Sequence, residues 1–105
     1  MPIDDNAFFA MLGIAMRAGV LTLGEEGVLK AISSGKAAFV LLDEEASANT
    51  KKMFANSCAH YGVRLIALQG GRLGQAIGKP GRRSAAIVRG TLADKLLAMA
   101  GQETR

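Results

Sequence analysis

Tryptophan is absent from this 105-residue sequence, proline occurs twice, and cysteine and histidine occur once each. A lone thiol, Cys58, cannot close an internal disulfide or form half of a Cys-x-x-Cys site, and with His60 as the only imidazole there is no cluster from which to build a zinc site. No metal is expected. Aromatic residues are scarce too: Phe8, Phe9, Phe39, Phe54 and Tyr61 are the full set, and most fall on core-facing positions of the hydrophobic pattern. Little is left for a platform on which bases could stack. No apolar run reaches 18 residues, and the chain starts Met-Pro-Ile-Asp-Asp, with acids where a signal peptide carries positive charge. Neither a membrane span nor export is expected, and the expected location is the cytoplasm.

The most informative absence is that of negative charge. Residues 46–93 hold no Asp or Glu, while Lys51, Lys52, Arg64, Arg72, Lys79, Arg82, Arg83 and Arg89 all lie there. Residues 1–45 reverse the balance, with Asp4, Asp5, Glu25, Glu26, Asp43, Glu44 and Glu45 against Arg17, Lys30 and Lys36. The net charge of +4 conceals this division. A basic block without counter-charges raises the potential wherever the fold gathers it, which suits a polyanion such as nucleic acid. Solvated side chains scattered over several faces would have the same composition.

What is present is a chain of one-domain length, half of it hydrophobic, in which helical and strand patterns alternate. One domain over residues 1–105 is expected, with its core at about 6–100. Asp4, Asp5 and Asn6 are N-cap candidates for a helix with Phe8, Met11, Leu12, Ala15 and Met16 on one face, ended by Gly19. Val20 to Leu23 is a short β-rich piece that Gly24 breaks, and a second helix then places Val28, Leu29 and Ile32 inward as far as Ser34 and Gly35. Ala37 to Leu42 is apolar without alternation, as in a central strand covered on both faces. Ser47 or Asn49 starts a third helix with Met53, Phe54, Ser57, Cys58 and Tyr61 inward, closed by Gly62. Val63 to Leu68 reads as a strand, Arg72 to Ile77 as a short helix, Lys79-Pro80-Gly81-Arg82-Arg83 as a basic turn, and Ser84 to Val88 as the last strand. Thr91-Leu92-Ala93-Asp94 has the spacing of a capping box opening a final helix with Leu92, Leu96 and Met99 inward, and fraying is expected beyond Gly101. The architecture implied is an α/β sandwich, a small four-stranded sheet with helices on both faces.

The candidate site follows from two loops. Gly24 joins a strand to a helix whose first backbone N–H groups have no internal partner, so the junction can receive an anion or an acceptor, and Lys30 is expected near the same helix end. Gly24 could equally serve only the turn, with Glu25 and Glu26 complementing the helix dipole. The basic turn at Lys79 to Arg83 is expected to meet that junction at one end of the sheet, where ligand sites form. Catalytic constellations are missing. Gly74 to Pro80 lacks the glycine spacing and the Ser or Thr of a phosphate loop, and Ser33 to Lys36 matches Ser-x-x-Lys with no second motif beside it. Cys58 and His60 point in different directions on their helix, and Asp43, Glu44 and Glu45 read as solvated carboxylates capping a strand.

The helix ending in Arg17-Ala18-Gly19, the stretch Gly24 to Lys30, the strand followed by Asp43 to Lys52, and the late Leu73-Gly-Gln-Ala-Ile-Gly78 element together resemble a known superfamily. It is that of the kink-turn RNA-binding ribosomal proteins of the large subunit, the L-seven-Ae and L-thirty-e type, and in particular its small bacterial YlxQ-type branch. The resemblance runs from about Phe8 to Leu97. It implies a three-layer α/β/α sandwich around a four-stranded mixed sheet, RNA as ligand, no cofactor and no catalysis; the partner expected is structured RNA, with ribosomal RNA among the candidates, and the protein is expected to be a monomer. The family's Gly-x-Asn-Glu-x-x-Lys lies on Gly24 to Lys30, where glycine and lysine match while Glu26 and Gly27 replace the asparagine and glutamate. RNA contact is therefore expected at Gly24, Glu25, Glu26, Lys30, Lys79, Arg82 and Arg83; the family's second loop usually presents apolar residues to a flipped-out base, whereas here Lys79, Arg82 and Arg83 are expected to meet phosphates instead. A second reading stays open: a protein-interaction adaptor on this fold that has lost kink-turn recognition.

Overall fold

The computed structural model describes residues 2–103. Nine elements follow in order: α1 (Asn6–Arg17), β1 (Leu21–Leu23), α2 (Glu25–Ser33), β2 (Ala37–Asp43), α3 (Ala48–Tyr61), β3 (Arg64–Leu68), α4 (Arg72–Ile77), β4 (Ser84–Val88) and α5 (Thr91–Glu103). The sheet order is β1-β4-β2-β3, with β2 and β3 parallel and the other two pairs antiparallel. The expected mixed sheet is thus present, and β2, the uninterrupted apolar run, lies inside it.

Alternation along the strands divides the core in two. Phe39, Leu41, Ile66, Leu68, Ala85 and Ile87 pack against Phe8, Leu12 and Ala15 of α1, Leu73 and Ile77 of α4, and Ala93 and Leu96 of α5. Val40, Leu42 and Ala86 turn the other way, onto Val28 and Ile32 of α2 and Phe54 and Cys58 of α3. The result is three layers. Near the start of β2 the register with β4 slips between Ala37 and Phe39, and Ala38 joins Phe39 on the α1 side, as a bulge requires.

Local signals explain most boundaries. Asp5 caps α1 by accepting from the Ala7 N–H at 3.0 Å, and Ser47 caps α3 by accepting from the Thr50 N–H at 3.1 Å. Gly62, at φ 68°, ends α3 in the left-handed conformation that costs glycine nothing. Two expectations are corrected. Tyr61 is half exposed, its ring edge-on to His60 at 4.7 Å instead of in the core. The first intrahelical bond of α5 runs from the Asp94 N–H to the Gly90 carbonyl, so the cap is Gly90 and not the Thr91 of the expected box. Helix α5 is assigned through Glu103; Thr104 and Arg105, where fraying is also expected, lie outside the described residues.

Gly74 fixes the basic turn to the body of the protein. A Cβ there would lie 2.9 Å from the Lys79 carbonyl oxygen and 3.2 Å from both Pro80 Cα and Gly81 N, all backbone atoms. Gly74→Ala is therefore expected to destabilise by about 1–3 kcal/mol, although alanine is the better helix former, because the clash forces a backbone shift. Thermal melts of the two proteins check this, and a variant as stable as the parent would mean that the turn moves aside freely.

Candidate nucleic-acid interface

Strand register brings the two predicted loops together. In the antiparallel pair, Leu23 of β1 lies opposite Ala85 of β4, so Gly24 leaves the sheet beside the point where the basic turn enters it. The Asp43 N–H donates to the Arg83 carbonyl at 2.8 Å, which draws the end of β2 to the same place. Gly24, Glu25, Thr50, Gly81, Arg82, Arg83 and Ser84 line a shallow cleft of about 220 Å³. A Cβ built on Gly24 would come within 3.9 Å of Arg82 Nη1.

The backbone around this cleft presents donors. Gly24, at φ 86° and ψ 143°, caps α2 with no side-chain hydrogen bond, and the first intrahelical bond is Val28 N–H to the Gly24 carbonyl at 2.9 Å. The amides of Glu25, Glu26 and Gly27 therefore precede the hydrogen-bond ladder, at the positive end of the helix dipole. Helices α3 and α4 also begin at this end of the sheet, because β2 and β3 run parallel into them. Lys51 and Lys52 are exposed, the fourth and fifth residues of α3.

The predicted residues do not all converge. Gly24, Glu25, Arg82 and Arg83 share the cleft. Glu26 is exposed one residue into α2, and Lys79 is exposed at the start of the turn, without lining the cleft. Lys30 differs from its expected position: it lies in the last turn of α2 and borders another cleft, since six residues of helix carry it about 9 Å from the N-terminus. The carboxylates are also corrected. Asp43 is fully buried, not solvated, and its Oδ1 accepts from the Glu45 N–H at 2.8 Å and the Gly71 N–H at 3.0 Å. Glu44 and Glu45 are exposed as expected, and Glu45 reaches over Gly70 to within 3.6 Å of Arg83.

Space supplies counter-charges that the sequence order hides. Arg72 pairs with Asp4, donates to Asn6 Oδ1 at 2.8 Å, and stacks over the Phe9 ring at 4.2 Å, so it staples the N-terminal segment to α4 and its charge is met by Asp4. Thr50, Ser84 and Glu45 were missed. Only Thr50 carried a signal, standing three residues after a capping serine.

Cys58 is buried and burial pushes its thiol up, away from the thiolate a nucleophile needs. Among the described residues no group of three or more His, Cys, Asp or Glu could hold a metal ion, and no helix is long and apolar enough to cross a membrane.

A profile of the ribosomal protein L7Ae/L30e/S12e/Gadd45 family matches residues 6–97. The chain belongs to this family. Among its relatives, RNA-binding protein YlxQ of Bacillus subtilis is 37% identical over 93 residues, covering 88% of this chain and 93% of that protein. RNA-binding protein YlxQ of Enterococcus faecium is 39% identical over 71 residues, covering 67% of this chain and 69% of the other. A Bacillus halodurans protein of unknown function superposes with TM-score 0.85 at 32% identity, over 92% of this chain and 99% of its own. The Giardia lamblia 15.5kD RNA binding protein has the same fold, at TM-score 0.78 and 18% identity over 99% of this chain and 93% of its own.

Proposed function

We propose that this L7Ae-family chain is a non-catalytic RNA-binding protein of the ribosomal-protein type. One observation carries the reading: the register of β1 and β4 seats Arg82 beside the unsatisfied start of α2 at Gly24. Its YlxQ relatives are named for RNA binding, which supports the same ligand. The ligand is structured RNA, ribosomal RNA being the first candidate, and the protein acts as a cytoplasmic monomer. Gly24, Glu25, Glu26, Lys30, Lys79, Arg82 and Arg83 are the proposed contacts, with the arginines on phosphates.

Phosphate contact dominates because the side chains of a base reader are missing. Gly27 offers no side chain, and Glu26, where the family has asparagine, is a negative charge on a surface that meets phosphates. Glu26→Ala is accordingly expected to leave affinity within about twofold or to tighten it, since it removes repulsion from an exposed position. Fluorescence anisotropy at constant salt, with a kink-turn RNA and a duplex control, reads this out. A strong preference for the kinked RNA that disappears with Glu26 would restore base reading in variant form.

Crosslinking in cells followed by sequencing of the attached RNA tests the function itself. Enrichment of particular structured RNAs is the expected result. Background RNA recovery together with a stable protein partner would overturn it in favour of the adaptor.

A further inference from the structure

At the other end of α2 a second cleft, of about 250 Å³, opens between the helix and the edge strand β1, lined by Thr22, Gly27, Lys30, Ala31, Ser34 and Lys36. Lys30 and Lys36 are both exposed, and no carboxylate lines the cleft. Gly27 shapes it: a Cβ there would stand 3.1 Å from Thr22 Cγ2, so glycine lets α2 lie close to β1 and leaves the space over the helix face unfilled.

The C-terminus of a helix is a poor place for an anion, because about half a negative charge accumulates there. Three cations outweigh it. Besides Lys30 and Lys36, Arg89 is fixed at this turn, its N–H on the Lys36 carbonyl at 3.1 Å and its Nε donating to the Gly35 carbonyl at 2.9 Å. The cleft is smaller than the roughly 300–1,000 Å³ usual for small-molecule sites, and its lining holds no aromatic ring, so it suits a phosphate with the edge of its sugar better than a free cofactor.

We propose that this cleft is a second phosphate contact of the same RNA, whose backbone crosses α2 from Arg82 and Arg83 at one end to Lys30 and Lys36 at the other. The inference rests on the RNA-binding reading above. Nine helical residues span about 13 Å, so a strand held at both ends has further nucleotides between the two contacts. Lys36 and Ser34 enter the interface only through the fold. Neither belongs to the stretch from Gly24 to Lys30 nor to the basic turn.

The probe is a fluorescently labelled RNA hairpin with an internal loop, titrated against the full chain at several KCl concentrations. Lys36→Ala is expected to weaken binding about three- to tenfold and to lower the slope of log affinity against log salt by about 0.7–0.9, the mark of one lost phosphate contact. Lys36→Glu should weaken it further. Combined with Arg82→Ala the losses should multiply, since the two ends of α2 are too far apart to share a contact. Unchanged affinity and slope in both Lys36 variants, while Arg82→Ala lowers both, would overturn the second contact and leave the RNA reading standing. Failure of the unmodified protein to bind the hairpin at low salt would overturn both.

Discussion

Replacing Arg82 and Arg83 together by glutamate is expected to weaken RNA binding by roughly 100-fold or more, and about equally for a kink-turn and an ordinary structured RNA. Each arginine contributes a charge-assisted hydrogen bond worth about 1.5–3 kcal/mol, and each glutamate adds repulsion in its place. Phosphate contacts carry little sequence information, so the loss should not discriminate between RNAs. The salt dependence should also flatten by about two contacts. Folding should be nearly untouched: Arg82 is exposed, and the 3.6 Å approach of Arg83 to Glu45 joins two well-solvated groups whose pairing is worth at most about 1 kcal/mol. Anisotropy titrations at three salt concentrations, with a thermal melt of each protein, separate the outcomes. A double variant within threefold of the parent would place the RNA elsewhere. A loss confined to the kink-turn RNA would mean that this loop reads structure and not charge.

The sheet and its helices were legible because each segment has a local cause. Ala37 to Leu42 has no polar side chain to expose, Gly24 and Gly62 stop elements where side chains would be strained, and Ser47 offers its hydroxyl where α3 needs an acceptor. Charge was less legible, since counter-charges act through space. Arg72 meets Asp4, and Arg83 approaches Glu45, across gaps in sequence that no local pattern records. Lys30 shows a related limit. The Gly24 to Lys30 spacing gives its helix but not which cleft it borders, which depends on how closely Gly27 lets α2 approach β1. The adjacent acids Asp43, Glu44 and Glu45 look alike in sequence. In space the first is buried and the other two are exposed, because Asp43 is the last residue of a central strand and two later turns fold over it.

Asp43 is accordingly where the largest loss of stability is expected. Its Oδ1 holds the Glu45 and Gly71 amides, and Oδ2 lies 3.5 Å from the Leu73 amide, so one carboxylate organises both the turn into α3 and the start of α4. Asp43→Ala would remove the buried carboxylate that these three donors share, and each donor left without a partner costs about 1–3 kcal/mol. A destabilisation of about 2–4 kcal/mol is expected, which for a domain of this size lowers the melting temperature by roughly 10–20 °C. Asp43→Asn should fall between, because it keeps the shape and one acceptor oxygen but turns amide hydrogens toward backbone donors. RNA affinity measured well below the melting temperature should change by only a few-fold, since the bond from the Asp43 N–H to the Arg83 carbonyl belongs to the backbone and survives either substitution. A shift below about 3 °C for Asp43→Ala would show that water or a shifted turn satisfies the amides. An RNA-binding loss as large as that of the Arg82 and Arg83 reversal, in protein still folded at the assay temperature, would instead put the Asp43 carboxylate in command of the basic turn.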